Sequence, residues 1–178
     1  MFLIPGVVVA VLTFPGVIVH EAAHMLFCKL RGVAVLEVRF FRFANPPGYV
    51  IHEEIEDINT AFLVCVGPLI VNSLLCVVFC FPSLMPIHVF GQGDILDMVL
   101  IWLGVSIGMH AFPSNQDASV LWEQAREAAK RLNVLALVSF PLVVLVFIAN
   151  ALTVLWFDAL YGVALGVFLP MFIIDHVL

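Results

Sequence analysis

The stretch VIVHEAAHML, residues 17–26, puts two histidines and a glutamate inside a run otherwise apolar enough to lie in lipid. Ionisable side chains are rare within membrane spans and usually functional where they occur. The surrounding chain supports the lipid setting. Of its 178 residues 63% are hydrophobic and 11% charged, and the mean hydropathy is +1.16, a composition outside the range of ordinary soluble domains. A membrane-crossing helix needs about 20 mainly apolar residues, and the stretches 3–28, 60–81, 95–112, 134–154 and 157–177 are of that kind.

The expectation is therefore an all-α polytopic membrane protein with about five transmembrane helices, forming a single membrane-embedded domain over residues 1–178. Little chain remains for a separate soluble domain. The first apolar run lacks a basic lead-in, is too long for a signal peptide and is followed by no small-x-small cleavage site, so it reads as a retained first helix. Cys28, Cys65, Cys76 and Cys80 form no C-x-x-C pair and mostly fall inside predicted spans, which makes them packing residues rather than a disulfide framework. The net charge of -6 argues against nucleic acid as a partner. It includes Glu53, Glu54, Glu56 and Asp57, expected in a solvated loop or at a helix start.

All seven basic residues lie in two places. Lys29, Arg31, Arg39 and Arg42 follow the first span, and Arg126, Lys130 and Arg131 separate the third from the fourth. Basic residues collect on the cytoplasmic side, so with five spans both loops and the C-terminus are expected there and the N-terminus outside. An even number of spans would move the C-terminus. Between the first two spans, residues 32–57 are rich in β-branched and aromatic residues and broken by Asn45-Pro46-Pro47-Gly48. That pattern predicts a short β-hairpin over 33–52. Its unpaired backbone groups cannot face lipid, which leaves the cytoplasmic surface or a cavity.

On a helix, residues four apart share a face, so His20 and His24 can turn their imidazoles toward one ion, and Glu21 can reach a water bound to it. This is H-E-x-x-H, the arrangement of zinc hydrolases: two histidine ligands, an open position and a carboxylate base. A zinc site needs a third protein ligand. The polar stretch GMHAFPSNQDA at the end of the third span offers His110, Asn115 and Asp117. At 1.5 Å per residue, His24 and His20 lie about 8 to 14 Å below the basic end at Lys29, near the same face as that stretch.

These residues resemble the site-2 protease family of intramembrane zinc metalloproteases. The family places H-E-x-x-H on one core helix, a Gly-Pro-x-x-Asn-like pattern on the next and Asn…Pro…Asp-Gly on a third. Here the order is His20-Glu21-Ala22-Ala23-His24, then Gly67-Pro68-Leu69-Ile70-Val71-Asn72, then His110 through Pro113 and Asn115 to Asp117. Asn72 comes one residue late, His110 stands where the family often has Asn, and Ala118 replaces Gly. The resemblance implies a catalytic core over about 1–120, with two additional helices in 133–178. It implies one Zn2+ per chain held by His20, His24 and Asp117, with Glu21 as base, and a hairpin around Gly48-Tyr49-Val50 that takes substrate. His110 remains an alternative third ligand or oxyanion donor. Asn72 is either a substrate contact or a helix–helix hydrogen bonder. His52, His88 and His176 are expected at interfaces.

The implied activity is hydrolysis of peptide bonds in a transmembrane protein or peptide substrate, at the cytoplasmic side of the lipid bilayer. The competing expectation is a metal-binding module that holds or regulates another membrane protein without cutting it, against which an intact Glu21 argues. A membrane diiron oxidase needs several histidine clusters, and six histidines with one pair do not supply them. Substrate and oligomeric state are not encoded in any motif.

Overall fold

The protein is described by a computed structural model covering residues 6–177. Residues 3–5 at the expected start of the first span, and the N-terminus assigned to the outer face, lie outside the described residues. The chain forms α1 (Gly6–Leu12), α2 (Phe14–Leu30), β1 (Val35–Arg39), β2 (Tyr49–His52), α3 (Ile58–Phe90), α4 (Ile95–Met109), α5 (Asn115–Ala129), α6 (Val134–Leu152), α7 (Phe157–Val163) and α8 (Leu169–Val177). A single 3-10 turn at Thr153–Leu155 follows α6, and a π-helical turn at Ala164–Phe168 joins α7 to α8. The mainly helical architecture with one small antiparallel sheet matches the sequence expectation.

The five spans are realised differently. Three helical stretches, Ile58–Phe90, Val134–Leu155 and Phe157–Val177, are long and apolar enough to cross a membrane, and α1 with α2 would make a fourth were they not bent by 87°. The bend falls at Thr13, just before Pro15, whose missing N–H and fixed φ suit a helix start and not a helix interior. Helix α4 has 15 residues, or about 22 Å, short of the roughly 30 Å hydrocarbon layer.

Helix α3 is the one unbroken post. Its 33 residues reach about 50 Å, and α2, α4, α5 and the final leg pack along it. α2 descends beside its first half: the Phe27 ring fills the space a side chain on Gly67 would need, 2.1 Å from the position of a Cβ, and Arg31 donates to Thr60 Oγ1 over 3.1 Å. α4 descends beside its second half, where Gly104 and Gly108 pack directly on Cys80 and Cys76. α5 continues downward, its Leu121 and Ala125 in one buried cluster with Ile58 and Ala61. α6 turns back along α5, with Trp122 and Phe140 edge to face at 4.9 Å.

The final leg departs from the alternation of five spans. Tyr161 meets Ser73 at 2.7 Å, Gly166 sits between Cys76 and Cys80, Ile174 clusters with Leu84, and His88 Nε2 donates to Asp175 Oδ1 over 2.7 Å. The segment 157–177 therefore runs parallel to α3, where an alternating fifth span would run antiparallel to it. Residues 134–177 climb from the basic turn at Lys130–Arg131 past the end of α4 to the far end of α3, covering the length of that post once. Outward faces are apolar: Leu74, Val78, Met98, Leu145, Phe168 and Phe172 are each about 60% exposed, the surface a bilayer would cover.

The hairpin forms where expected, with Val35 opposite His52, Val38 opposite Val50 and Arg39 opposite Tyr49. Tyr49 hydroxyl donates to Glu37 Oε1 over 2.7 Å, which holds the Glu37 carboxyl below its ordinary range. Asp57 caps α3, accepting from the Thr60 amide at 2.9 Å, so the acidic run does end at a helix start.

Candidate metal centre

Three helix breaks meet at one level of α3. The bend at Thr13, the irregular segment 110–114 and the turn at 153–156 are tied together there. His110 Nε2 and Thr13 Oγ1 are 2.8 Å apart, Asn150 Nδ2 donates to the Pro113 carbonyl at 3.0 Å and to Asn115 Oδ1 at 2.9 Å, and Phe112 packs on Phe157 and Tyr161. Breaking a helix in an apolar setting frees backbone groups that need partners. On α3, Asn72 supplies them: fully buried, it donates from Nδ2 to the carbonyls of Ile107 at 3.1 Å and His110 at 3.0 Å, and more weakly to Gly16 at 3.5 Å. Its Oδ1 has no partner among the described residues.

Proximity of α2 to this junction is set by Gly16, where a Cβ would lie 2.0 Å from the Ser106 carbonyl. The contact brings His20 Nδ1 within 2.6 Å of the His110 carbonyl. A carbonyl only accepts, so Nδ1 carries the proton and Nε2 presents its lone pair. One turn further, His24 is buried with its Nε2 3.1 Å from His20 Nε2. Asp117 approaches from the first turn of α5, its Oδ2 3.5 Å from His24 Nε2.

Asp117 is placed by local rules. Ser114 caps α5, donating from its amide (2.8 Å) and hydroxyl (2.6 Å) to Asp117 Oδ2, and its Oγ accepts from the Asp117 amide at 3.2 Å. This reciprocal box fixes the carboxylate at the positive end of the helix. Asp117 Oδ1 makes no hydrogen bond among the described residues.

His20, His24 and Asp117 each offer one ligand atom, all within 4.8 Å of one another. Around a tetrahedral ion with bonds of about 2.0–2.1 Å, neighbouring ligand atoms stand roughly 3.3 Å apart. The His20–His24 and His24–Asp117 separations of 3.1 and 3.5 Å match that spacing, the His20–Asp117 pair lies within 4.8 Å, and two imidazoles with one carboxylate are a donor set such an ion accepts. Histidine ligands whose second nitrogen is held by the backbone are typical of metal centres. His110 stands outside the group, its ring turned to Thr13. The Thr13 hydroxyl has one proton, which it donates to the Val9 carbonyl at 2.7 Å, so it accepts from His110 Nε2.

Glu21 is 9% exposed and makes no hydrogen bond or ion pair among the described residues. It opens on a cavity of about 1150 Å³ that the three ligand residues also line. Strand β2 forms the facing wall. Gly48 brings the hairpin onto Glu21, since a Cβ there would be 2.7 Å from Glu21 Cγ and 3.0 Å from Val17 Cγ1. Along its other edge β2 pairs with no strand among the described residues.

His52 lines the cavity, His88 is paired with Asp175 far from it, and His176 stacks on Phe172. The sequence does not single out Thr13, and it marks Asn150 only as a polar interruption of the last spans. Thr13 precedes a helix-starting proline, and Asn150 is one of the few polar residues in the last spans, but nothing in either position names its partner. Comparison with protein-family models, curated protein sequences and solved structures gave no match.

Proposed function

We propose that the protein is an intramembrane zinc metalloprotease, hydrolysing peptide bonds of membrane-protein segments near the cytoplasmic face. The observation that carries this is the conjunction of three convergent ligand groups with an unpaired, nine-tenths buried glutamate next to one of them, both facing the same cavity. A metal site used only for structure has no need of that carboxylate. The basic residues at Lys29–Arg31 and Arg126–Arg131 flank the lower ends of α2 and α5, which favours the cytoplasmic side for the cavity mouth.

His20, His24 and Asp117 would hold the ion. Zinc bound there supplies a Lewis acid that lowers the pKa of a water toward about 7 and polarises the scissile carbonyl. Glu21 accepts the proton of the attacking water and returns it to the leaving amine. A helical substrate must unwind before attack, and the free edge of β2 can pair with the unwound backbone. The resemblance of His20-Glu21-x-x-His24 and Asp117 to the site-2 protease pattern points the same way.

The test uses full-length protein reconstituted in liposomes with a panel of fluorescent single-span peptides. Wild-type protein is expected to cut members of the panel within or next to the span and to stop after treatment with a zinc chelator. Glu21→Gln is expected to retain zinc and lose cleavage. Cleavage by Glu21→Gln at the wild-type rate would overturn the assignment.

A further inference from the structure

Resting on the hydrolytic reading above, we infer that the substrate class is a transmembrane segment with a lysine- or arginine-rich flank, recognised by an acidic rim around the cavity. Glu53 and Glu54, directly after β2, line the cavity together with Glu123 of α5 and Asp158 of α7. Glu53, Glu54 and Glu123 are exposed, and none of the four carboxylates has an ion-pair partner among the described residues. The one basic side chain on the wall is committed elsewhere: Arg42 Nε donates to the Pro46 carbonyl at 2.8 Å, and its guanidinium lies 4.7 Å over the Tyr49 ring. The four carboxylates outnumber the single guanidinium, so the rim carries a net negative field, which attracts and orients a cationic chain.

The rim also has a place in the substrate register. Gly48 touches Glu21, and Glu53 follows five residues on. An extended chain advances about 3.3 Å per residue, so a strand laid along β2 with its reacting bond beside Glu21 would carry its basic residues about five positions away, roughly 17 Å. Membrane proteins concentrate Lys and Arg at the cytoplasmic ends of their spans, the end this cavity would engage. Glu21 itself, buried and unpaired at the inner end, is the independent sign that the acidic cavity receives a ligand.

The experiment measures binding and cleavage separately. Two fluorescein-labelled single-span peptides, identical except for a Lys-Lys-Arg or a Gln-Gln-Gln flank, are titrated against full-length Glu21→Gln protein in nanodiscs. The basic peptide is expected to bind at least tenfold more tightly at low salt, with most of the advantage lost at 1 M salt, where the Debye length falls to about 3 Å. Glu53→Gln with Glu54→Gln should reduce the preference about threefold to tenfold. Glu53→Lys with Glu54→Lys should favour a third peptide with an Asp-Asp-Glu flank. Equal binding of the basic and neutral peptides, or a preference untouched by the Glu53 and Glu54 substitutions, would overturn the inference. Wild-type cleavage of both peptides at one rate would also sink the rim while leaving hydrolysis standing. A flank preference in binding without cleavage of any peptide would uphold the rim and remove the protease reading.

Discussion

His20 Nδ1 donates to the backbone carbonyl of His110 across 2.6 Å, joining positions 90 residues apart in the chain. That carbonyl is free because α4 ends at Met109, and it also accepts from Asn72 Nδ2 at 3.0 Å. One broken helix thus fixes the tautomer of His20, the first candidate ligand, with Asn72 holding the break in place. Asn72→Leu removes the donor to the Ile107 and His110 carbonyls. The expected cost is about 1–3 kcal/mol of stability, with metal affinity weaker by about tenfold or more. Thermal unfolding in detergent and zinc competition with a chelator measure the two effects.

Gly48 governs how closely the hairpin lies over Glu21. Gly48→Ala puts a Cβ 2.7 Å from Glu21 Cγ and 3.0 Å from the Phe40 carbonyl, so the hairpin must move outward. Zinc content should be unchanged while the cleavage rate falls about tenfold, as misplacement of a reacting segment by an ångström costs that much or more. Parallel metal analysis and peptide cleavage check it.

Thr13 ties the α1–α2 bend to His110. Thr13→Val keeps the shape and removes the acceptor for His110 Nε2, an expected destabilisation of about 1–3 kcal/mol. Thr13→Ser, which keeps the hydroxyl, should recover most of it. Thermal unfolding of both variants decides.

The parallel course of α3 and the last leg predicts that their C-terminal ends share one side of a membrane. Gln92 follows α3, and His176 lies at the end of α8, beside the His88–Asp175 pair. Single cysteines at 92 and 176 should react with an impermeant thiol reagent from the same side of a sealed vesicle. The four native cysteines are buried and give little background. Labelling from opposite sides would restore the five-span alternation.

What the sequence made legible were features with a local cause. The His20–His24 spacing, the hairpin around Asn45–Gly48 and the apolar texture of the spans each follow from residues near one another. The Ser114–Asp117 box is local too, but the helix it opens, α5, lies outside the five expected spans, in what reads as a loop. Direction was not legible, because hydropathy measures burial in lipid and says nothing of the chain's course: 134–154 and 157–177 are each long and apolar enough to cross a membrane, yet after the Trp156 turn, with φ of 64°, the second runs parallel to α3. The roles of Thr13, Asn72 and Asn150 depend on where three separate breaks meet, and only the folded chain brings those breaks to one level.

Metal content of the purified protein and its single variants is the most direct measurement of the proposed centre. Wild type, Glu21→Gln and His110→Ala should each carry about one zinc ion per chain, while His20→Ala, His24→Ala and Asp117→Ala should carry little, because three protein ligands are the usual complement of a catalytic zinc. Zinc retained by Asp117→Ala and lost from His110→Ala would contradict the centre described here.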